Sequence, residues 1–262
     1  MKNIVMTGGT RGIGYGLAGA FLDLGCRAVI SGRAQGNVDE AVAQLAAKYG
    51  AERVWGQACD VAQPDQVQAL WDAARAHFGP IDIWINNAGL GHPMQTLWEL
   101  DPETLRTVVE TNLLGALYGA RVAVRGMLEQ GFGSVYNMEG MGSDGRKQAG
   151  VNLYGCTKYA LAYLTDALAQ ETKGTPVKVC AFRPGMVLTD LITGPFEGKP
   201  EDWQRFKPIL NILGERVETI APYLARKALA NDKTGVRIAW LSPAKTMARF
   251  LTAPFRKRKL VT

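Results

Sequence analysis

Short apolar segments alternate with longer segments of helical periodicity from residue 2 to residue 241. The short segments are typical of buried strands, and the longer ones repeat apolar residues every three or four positions, as amphipathic helices do. We predict strands at residues 2–7, 26–32, 53–59, 81–86, 134–138, 177–182 and 236–241, and helices at 12–25, 38–49, 65–78, 102–130, 152–172 and 216–231. Such alternation forms βαβ units, so we expect a single α/β domain built on a parallel sheet with helices on both faces.

The first predicted strand leads into a glycine-rich turn, TGGTRGIG at residues 7–14, which opens the first helix. Glycines at these spacings permit a tight turn and let a pyrophosphate approach the helix N-terminus, where free N–H groups favour anions. Because the motif lies between a strand and a helix, we predict dinucleotide binding and a Rossmann-type, doubly wound sheet of about seven strands. The cofactor-binding residues predicted in this turn are Gly8, Thr10, Arg11, Gly12, Ile13 and Gly14.

The end of the second strand indicates which dinucleotide is bound. An acidic residue there would bind the ribose 2′-hydroxyl of NAD, but the sequence has Ser31-Gly32-Arg33 instead. Arg33 and Arg11 offer guanidinium groups that suit a 2′-phosphate, so NADPH is the expected cofactor. The alternative is that Arg33 is a solvated loop residue.

Tyr154 and Lys158 form a Y-x-x-x-K pair near the start of a predicted helix. A spacing of four puts both side chains on one helix face. A nearby ammonium lowers the pKa of a phenol, which would let Tyr154 exchange a proton near neutral pH. Taken alone, the same spacing also occurs on ordinary helix faces.

Residues 186–214 form the longest stretch without a clear period. The stretch follows the carboxyl end of a predicted strand, where open α/β sheets bind their ligands. We therefore expect a substrate lid at about residues 186–215, inside a domain that spans residues 1–244.

The net charge of +6 is confined to a C-terminal tail of residues 245–262, since residues 1–244 carry equal numbers of basic and acidic groups. Met247, Phe250 and Leu251 share one face of a short predicted helix that Pro254 ends. The basic residues of the tail are Lys245, Arg249, Arg256, Lys257, Arg258 and Lys259. An apolar strip beside a basic cluster favours peripheral contact with an anionic membrane surface, not nucleic-acid binding. The alternative is that the apolar face packs on the body or on a neighbouring subunit.

Other features indicate the compartment. The N-terminus has no signal-peptide layout, and no apolar run reaches the roughly 18 residues of a spanning helix. The four cysteines are far apart and form no C-x-x-C pair, and two histidines cannot make a histidine-rich metal site. We expect a cytoplasmic protein with reduced thiols and no metal, in which the tail supplies any membrane contact.

The motifs occur together and in order: TGGTRGIG, Asp60-Val61, Asn86-Asn87-Ala88-Gly89, Asn112 in a long helix, Tyr154 with Lys158, and Arg183-Pro184-Gly185 with Thr189. This combination resembles the short-chain dehydrogenase/reductase family over about residues 2–241. The resemblance implies that Tyr154 protonates a substrate carbonyl as hydride arrives, that Asn112 holds a water in a proton relay, and that Lys158 binds the nicotinamide ribose. It also implies a homo-oligomer, a dimer or a tetramer.

The same resemblance assigns the remaining cofactor contacts. Asp60 would meet the adenine, with Val61 in the same site, and residues 87–89 would line the adenosine ribose. The nicotinamide would be held after the sixth strand. The residues implied are Asp60, Val61, Asn87, Ala88, Gly89, Pro184, Gly185, Val187 and Thr189.

One position departs from the family pattern. The serine that usually follows the fifth strand would stand at position 140, where this chain has glycine. Ser143 is a candidate replacement as the second carbonyl donor, and a backbone N–H is the other candidate.

This departure itself resembles the chlorophyll b reductase branch, in the run Asn137-Met138-Glu139-Gly140-Met141-Gly142-Ser143 and in Leu153-Tyr154-Gly155-Cys156-Thr157-Lys158. The resemblance implies NADPH-dependent reduction of the 7-formyl group of chlorophyll b to 7-hydroxymethyl chlorophyll. A large apolar pigment would then be the substrate, under a lid that offers Leu191, Ile192, Phe196, Trp203, Phe206, Ile209 and Leu210. The alternatives are a general reductase of a smaller ketone, aldehyde or 3-oxoacyl substrate, and a non-catalytic nucleotide-binding protein.

Overall fold

Seven parallel strands form one twisted sheet in the computed structural model, which describes residues 1–255 and 258–261. The strands are β1 (Asn3–Met6), β2 (Arg27–Gly32), β3 (Val54–Ala58), β4 (Ile83–Asn86), β5 (Gly133–Met138), β6 (Val177–Arg183) and β7 (Arg237–Ala239). Their order across the sheet is β3-β2-β1-β4-β5-β6-β7, with every neighbouring pair parallel. The predicted Rossmann-type sheet of seven strands is therefore confirmed.

Helices connect the strands and cover both faces of the sheet. They are α1 (Gly12–Asp23), α2 (Gln35–Tyr49), α3 (Pro64–Phe78), α4 (Pro102–Val109), α5 (Gly115–Gln130), α6 (Asn152–Glu171), α7 (Asp190–Thr193), α8 (Pro200–Leu213), α9 (Val217–Leu229) and α10 (Pro243–Thr252). Among the described residues, no helix is both long enough and apolar enough to cross a membrane.

Two apolar layers hold the helices on the sheet, because alternate strand residues point to opposite faces. On one face, Met6 and Ile30 pack with residues of α1, α2 and α9 such as Phe21. On the other face, Val5 and Val29 pack with residues of α3, α5 and α6. Burial on both faces explains why the central strands are apolar throughout rather than alternating with polar residues.

The strand order reverses between β1 and β4, which are neighbours although two βα units separate them in the chain. At such a reversal the connecting helices leave in opposite directions and open a crevice at the carboxyl ends of the strands. The glycine-rich turn after β1 and the segment after β4 both lie at this crevice, so the fold brings together motifs that are about 80 residues apart.

Two predicted segments differ from the structure. The helix predicted at residues 102–130 is divided by a π-helical turn at Glu110–Leu114, where a wider turn displaces the side chains that follow. The lid region, predicted to be without regular structure, contains the 14-residue helix α8. Phe206, Leu210 and Leu213 do have helical spacing, but Pro208 inside the helix obscures that periodicity.

Candidate active site

The glycine-rich turn is shaped to receive a diphosphate. Gly8 has a φ of 62°, a left-handed conformation that favours glycine. A Cβ added at Gly14 would overlap the carbonyl oxygen of Gly8, so the turn can close this tightly only without a side chain there. The first turn of α1 carries no acidic residue, and no side chain of the described chain caps it. Its N–H groups therefore remain available for an anion.

Asn87 fixes the conformation of this turn. Its Nδ2 donates to the carbonyl oxygens of Thr7 (3.0 Å) and Gly8 (2.9 Å). The backbone N–H groups of Asn87 and Ala88 both donate to Thr7 Oγ1, each at 3.1 Å. The segment after β4 is thus tied directly to the phosphate-binding turn, which makes Asn87 a positioning residue.

The second cofactor region lies at the carboxyl end of β2. Gly32 packs against the side chain of Thr10, and Arg33 is exposed just before α2. The first turn of α2 has no acidic residue, and nothing in the described residues caps it through a side chain. A cavity beside it is lined by Thr10, Arg11, Asn37, Glu40, Ala41 and Gln44.

Arg11 lines the cavity beside α2 and also forms an ion pair with the lid. Its Nη1 lies 3.3 Å from Asp190 Oδ2, and both side chains are largely exposed. The contact joins the glycine-rich turn to the start of the lid. An exposed pair of this kind stabilises little, so Arg11 remains able to contact a phosphate, but Arg33 is the more direct candidate for a 2′-phosphate.

The remaining predicted cofactor residues lie around the same crevice. Ile13 packs on the core below α1. Asp60 Oδ1 accepts from the N–H of Ala62 at 3.0 Å, and Val61 is buried against Gly115. After β6, Gly185 has a φ of 77°. The other residues of that segment are Pro184, Val187 and Thr189, and Thr189 faces Gly12 across the crevice.

Tyr154 and Lys158 share one face of α6, with the Lys158 Nζ 5.6 Å from the centre of the Tyr154 ring. Burial raises the pKa of the Tyr154 phenol above its ordinary value. Burial also lowers the pKa of Lys158 to about 8, and the carboxylate of Glu139 partly opposes that shift. The expected lowering of the tyrosine pKa is therefore not found. A phenol that stays protonated is suited to donating a proton.

Asn112 lies on the π-helical turn and joins Tyr154's helix to the segment after β4. Its Oδ1 accepts from the N–H of Leu90 at 2.7 Å, and its Nδ2 donates to Leu90 O at 2.9 Å and to Thr157 Oγ1 at 3.2 Å. Lys158 Nζ donates to Met138 O at 2.9 Å. The structure thus gathers Asn112, Tyr154 and Lys158 at one end of the sheet.

His92 holds the start of α6. Its Nδ1 is 2.8 Å from the carbonyl oxygen of Pro93, and its Nε2 is 3.2 Å from the backbone N of Tyr154. A carbonyl accepts and an N–H donates, so this arrangement requires a neutral imidazole with its proton on Nδ1. His92 positions the backbone of Tyr154, a role that the sequence did not reveal.

Gly140 lies directly against the tyrosine hydroxyl. A Cβ added at position 140 would overlap Tyr154 Oη, so a serine could not be accommodated there unless Tyr154 moved. Ser143 is buried, and it lines a neighbouring cavity with Tyr159, Tyr163 and Arg183. Neither Tyr154 nor Lys158 lines that cavity. Of the two candidate carbonyl donors, this placement favours a backbone N–H over Ser143.

Two substitutions test that placement. We expect Ser143→Ala to retain most of kcat, far from the roughly 10²- to 10³-fold loss that follows removal of an oxyanion donor. Gly140→Ala should lower kcat by about 10²-fold, since displacing a catalytic group by about 1 Å can cost that much. Steady-state kinetics with saturating cofactor would measure both. A large loss of kcat in Ser143→Ala with little loss in Gly140→Ala would identify Ser143 as the donor.

A buried ion cluster joins the carboxyl ends of β5 and β6 to the first residue of β7. The Glu139 side chain is fully buried, with Arg183 Nη2 at 2.6 Å and Arg237 Nε at 2.9 Å. Arg237 also contacts Asp166 of α6 at 2.8 Å. An acidic residue directly after a predicted strand is a sequence feature that could have drawn attention to Glu139. Its two arginine partners are 44 and 98 residues away, so spacing along the chain could not identify them.

The lid lies over the crevice and is tied to it at several points. Leu191 faces Gly91, and Lys199 Nζ donates to Met94 O at 2.8 Å. Phe196 stacks on Phe206 with ring centres 4.7 Å apart, and Trp203 lies beside them. The apolar side chains of the lid therefore pack partly on each other. In the part of the chain that the structure describes, no three His, Cys, Asp or Glu side chains are placed to hold a metal ion.

A parallel sheet with a glycine-lined anion site at its reversal, and a tyrosine–lysine–asparagine group beside it, defines a dinucleotide-dependent oxidoreductase. The family model for short chain dehydrogenase matches residues 2–199. The chain therefore belongs to the short-chain dehydrogenase/reductase family, the NAD(P)-dependent oxidoreductases that its motifs indicated.

Two plant proteins are similar over most of this chain. The chlorophyll(ide) b reductase NOL of Oryza sativa subsp. japonica is 39% identical over 227 residues, which are 85% of this chain and 65% of the rice protein. The protein of the same name from Arabidopsis thaliana is 38% identical over 255 residues, 95% of this chain and 70% of the plant protein. The chain thus spans less than two thirds of the length of the rice relative.

A solved structure shares the whole architecture. The L-sorbose reductase of Gluconobacter frateurii, complexed with NADPH and L-sorbose, superposes with a TM-score of 0.78 at 27% identity. The superposition covers 91% of this chain and 94% of that one. The family's fold is accordingly preserved here from the phosphate-binding turn to the lid.

Proposed function

We propose that this protein is an NADPH-dependent carbonyl reductase that converts the 7-formyl group of chlorophyll b to a hydroxymethyl group. The observation that carries the proposal is the contact between Gly140 and the hydroxyl of Tyr154. The tyrosine hydroxyl fills the place that a side chain at position 140 would take, so the serine usual in the family is excluded there. The plant relatives named for chlorophyll(ide) b reduction are 38–39% identical to this chain.

The chain's own residues supply the proton chemistry. NADPH, when bound, supplies the hydride. Tyr154 gives its phenolic proton to the carbonyl oxygen, so that an alcohol leaves and a phenolate remains. The ammonium of Lys158 stabilises that phenolate, and Asn112 orients the route by which a proton returns from solvent. Since Lys158 loses its charge as the pH rises through its pKa of about 8, this help fades in alkaline solution.

NADPH is preferred over NADH in this proposal because of what surrounds the end of β2. Arg33 is exposed next to the N-terminus of α2, whose first turn carries no acid. A guanidinium and a free helix N-terminus together favour a phosphate dianion, whereas a ribose hydroxyl would gain little from them.

A large, flat substrate is consistent with the lid. Leu191 and Ile209 are each more than one third exposed, although both are apolar. An apolar cover over a polar catalytic group is the usual composition of a pocket for an organic ligand. The apolar ring system of the pigment would pack against the lid while its formyl group reaches Tyr154.

The test is incubation of the full chain with NADPH and chlorophyll b, followed by chromatography of the pigment. The expected result is 7-hydroxymethyl chlorophyll, formed with NADPH and not without it. Parallel reactions contain a small aldehyde or a 3-oxoacyl thioester. Turnover of these without turnover of the pigment would identify a reductase of smaller carbonyls. Binding of NADPH with no reduction of any of them would indicate a non-catalytic protein.

A further inference from the structure

Helix α10 is oriented with its charged side inward. Arg249 Nη2 lies 2.6 Å from Glu215 Oε2, and its Nη1 donates to Leu213 O at 2.9 Å. Lys245 Nζ lies 3.1 Å from the centre of the Trp240 ring. The cationic side chains of this helix are therefore held against the body of the protein.

The outward face of α10 is apolar. Met247 is 66% exposed, Phe250 45% and Leu251 69%, and Phe255 beyond the helix end is 88% exposed. A helix on the surface of a protein in water normally has the opposite arrangement, with its apolar stripe toward the core. We name these four side chains the α10 face. Met247, Phe250 and Leu251 are neighbours on one side of the helix, and an exposed apolar group of this kind is typical of an interaction surface.

The α10 face lies near the lid, beyond the carboxyl end of β7. The helix follows directly after the carboxyl end of β7 and packs against α8 of the lid. Glu215, which holds Arg249, also exchanges backbone hydrogen bonds with Met186 and Leu188, each at 2.9 Å. These residues come just after Pro184-Gly185. A surface bound to α10 would consequently be connected to both ends of the lid.

Charge indicates which surface fits the α10 face. Residues 245–262 contain six cations and no acid, whereas the rest of the chain is neutral. Arg249 and Arg258 are engaged with Glu215. Lys259 is exposed, and the sequence places Arg256 and Lys257 close to it, although both lie outside the described residues. A second copy would bring an equally basic tail to a symmetric contact, which like charges oppose.

We propose that the α10 face docks on an anionic lipid surface, with Met247, Phe250, Leu251 and Phe255 entering the interface and Lys259 lying among the headgroups. This arrangement combines apolar insertion with electrostatic attraction, the two contributions that hold amphipathic helices on membranes. The docking does not depend on which carbonyl the enzyme reduces. It would bring the lid to a place where lipid-soluble substrates are concentrated.

The test is sedimentation of the full chain with vesicles of phosphatidylcholine alone or with about 30% phosphatidylglycerol, an anionic fraction large enough to attract basic segments. The variant is Met247→Ser/Phe250→Ser/Leu251→Ser. Its matched control is Leu24→Ser/Leu128→Ser/Phe132→Ser, three exposed apolar residues near the amino ends of β2 and β5. We expect wild type and control to pellet with anionic vesicles at low salt, and the α10 variant to bind at least about tenfold more weakly.

A second variant tests the charge. Arg256→Gln/Lys257→Gln/Lys259→Gln leaves Arg258 and its contact with Glu215 unchanged, and should weaken vesicle binding by about fivefold per cation removed. Reduction of a water-soluble aldehyde checks that each variant keeps its catalytic centre. Equal binding by wild type and the α10 variant would overturn the proposal. So would a dimer, seen by light scattering, that the α10 substitutions dissociate while no form binds vesicles.

Discussion

Tyr154→Phe should lower the rate of carbonyl reduction by 10²-fold or more, the range that removal of a general acid produces. The substitution deletes the hydroxyl that lies against Gly140 and keeps the aromatic ring, so the remaining ring packing is retained. Burial raises the pKa of this phenol, which keeps its proton in place until a carbonyl accepts it. The loss should appear in the rate constant of the reduction step, measured under single-turnover conditions with saturating NADPH.

The control is Tyr163→Phe, which removes a hydroxyl from a largely exposed tyrosine further along the same helix. It should behave as wild type. NADPH affinity, followed by cofactor fluorescence, should be nearly equal in all three proteins, because the hydroxyl of Tyr154 is not part of the phosphate-binding turn. A Tyr154→Phe enzyme with nearly normal turnover would mean that another group delivers the proton.

Local patterns predicted most of the fold and part of the site. The glycine-rich turn needs a backbone that only glycine adopts easily, so its position between a strand and a helix is readable from sequence. Tyr154 and Lys158 are four residues apart on one helix, and helical geometry alone puts them on one face. Asn112 was found through the resemblance, and the structure adds the reason for its position, a π-helical turn.

Long-range contacts could not be predicted in the same way. Glu139 meets Arg183 and Arg237 through strand order, and no spacing along the chain encodes that meeting. His92 reaches Tyr154 from 62 residues away. Ser143 is three residues from Gly140 and lines a cavity that Tyr154 does not line, a placement that sequence proximity could not predict. The inward orientation of Arg249 likewise depends on its ion pair with Glu215, which lies at the C-terminal end of the lid.

Arg33→Asp should reverse the choice of cofactor. Hydrogen bonds to charged groups contribute about 1.5–3 kcal/mol, so losing the guanidinium should lower kcat/KM for NADPH by roughly 10- to 150-fold. The new carboxylate would repel a 2′-phosphate and can accept a hydrogen bond from a ribose 2′-hydroxyl, which should raise kcat/KM for NADH. The ratio of kcat/KM for NADPH to kcat/KM for NADH, measured with one carbonyl substrate, reports the change in cofactor preference. A general effect on catalysis would alter both values equally and cancel in the ratio.

A change of net charge alone must be separated from this local effect. Lys173→Asp makes the same change of charge in an exposed turn between α6 and the amino end of β6, and should leave the ratio unaltered. Arg33→Gln removes the charge without adding repulsion, so its ratio should fall between those of wild type and Arg33→Asp. Equal kcat/KM for NADPH and NADH in wild type would refute the assignment. If preference for NADPH survived in Arg33→Asp, the N-terminus of α2 or Arg11 would have to be the main phosphate partner, because Arg11 is the cation among the described residues that line the cavity beside α2.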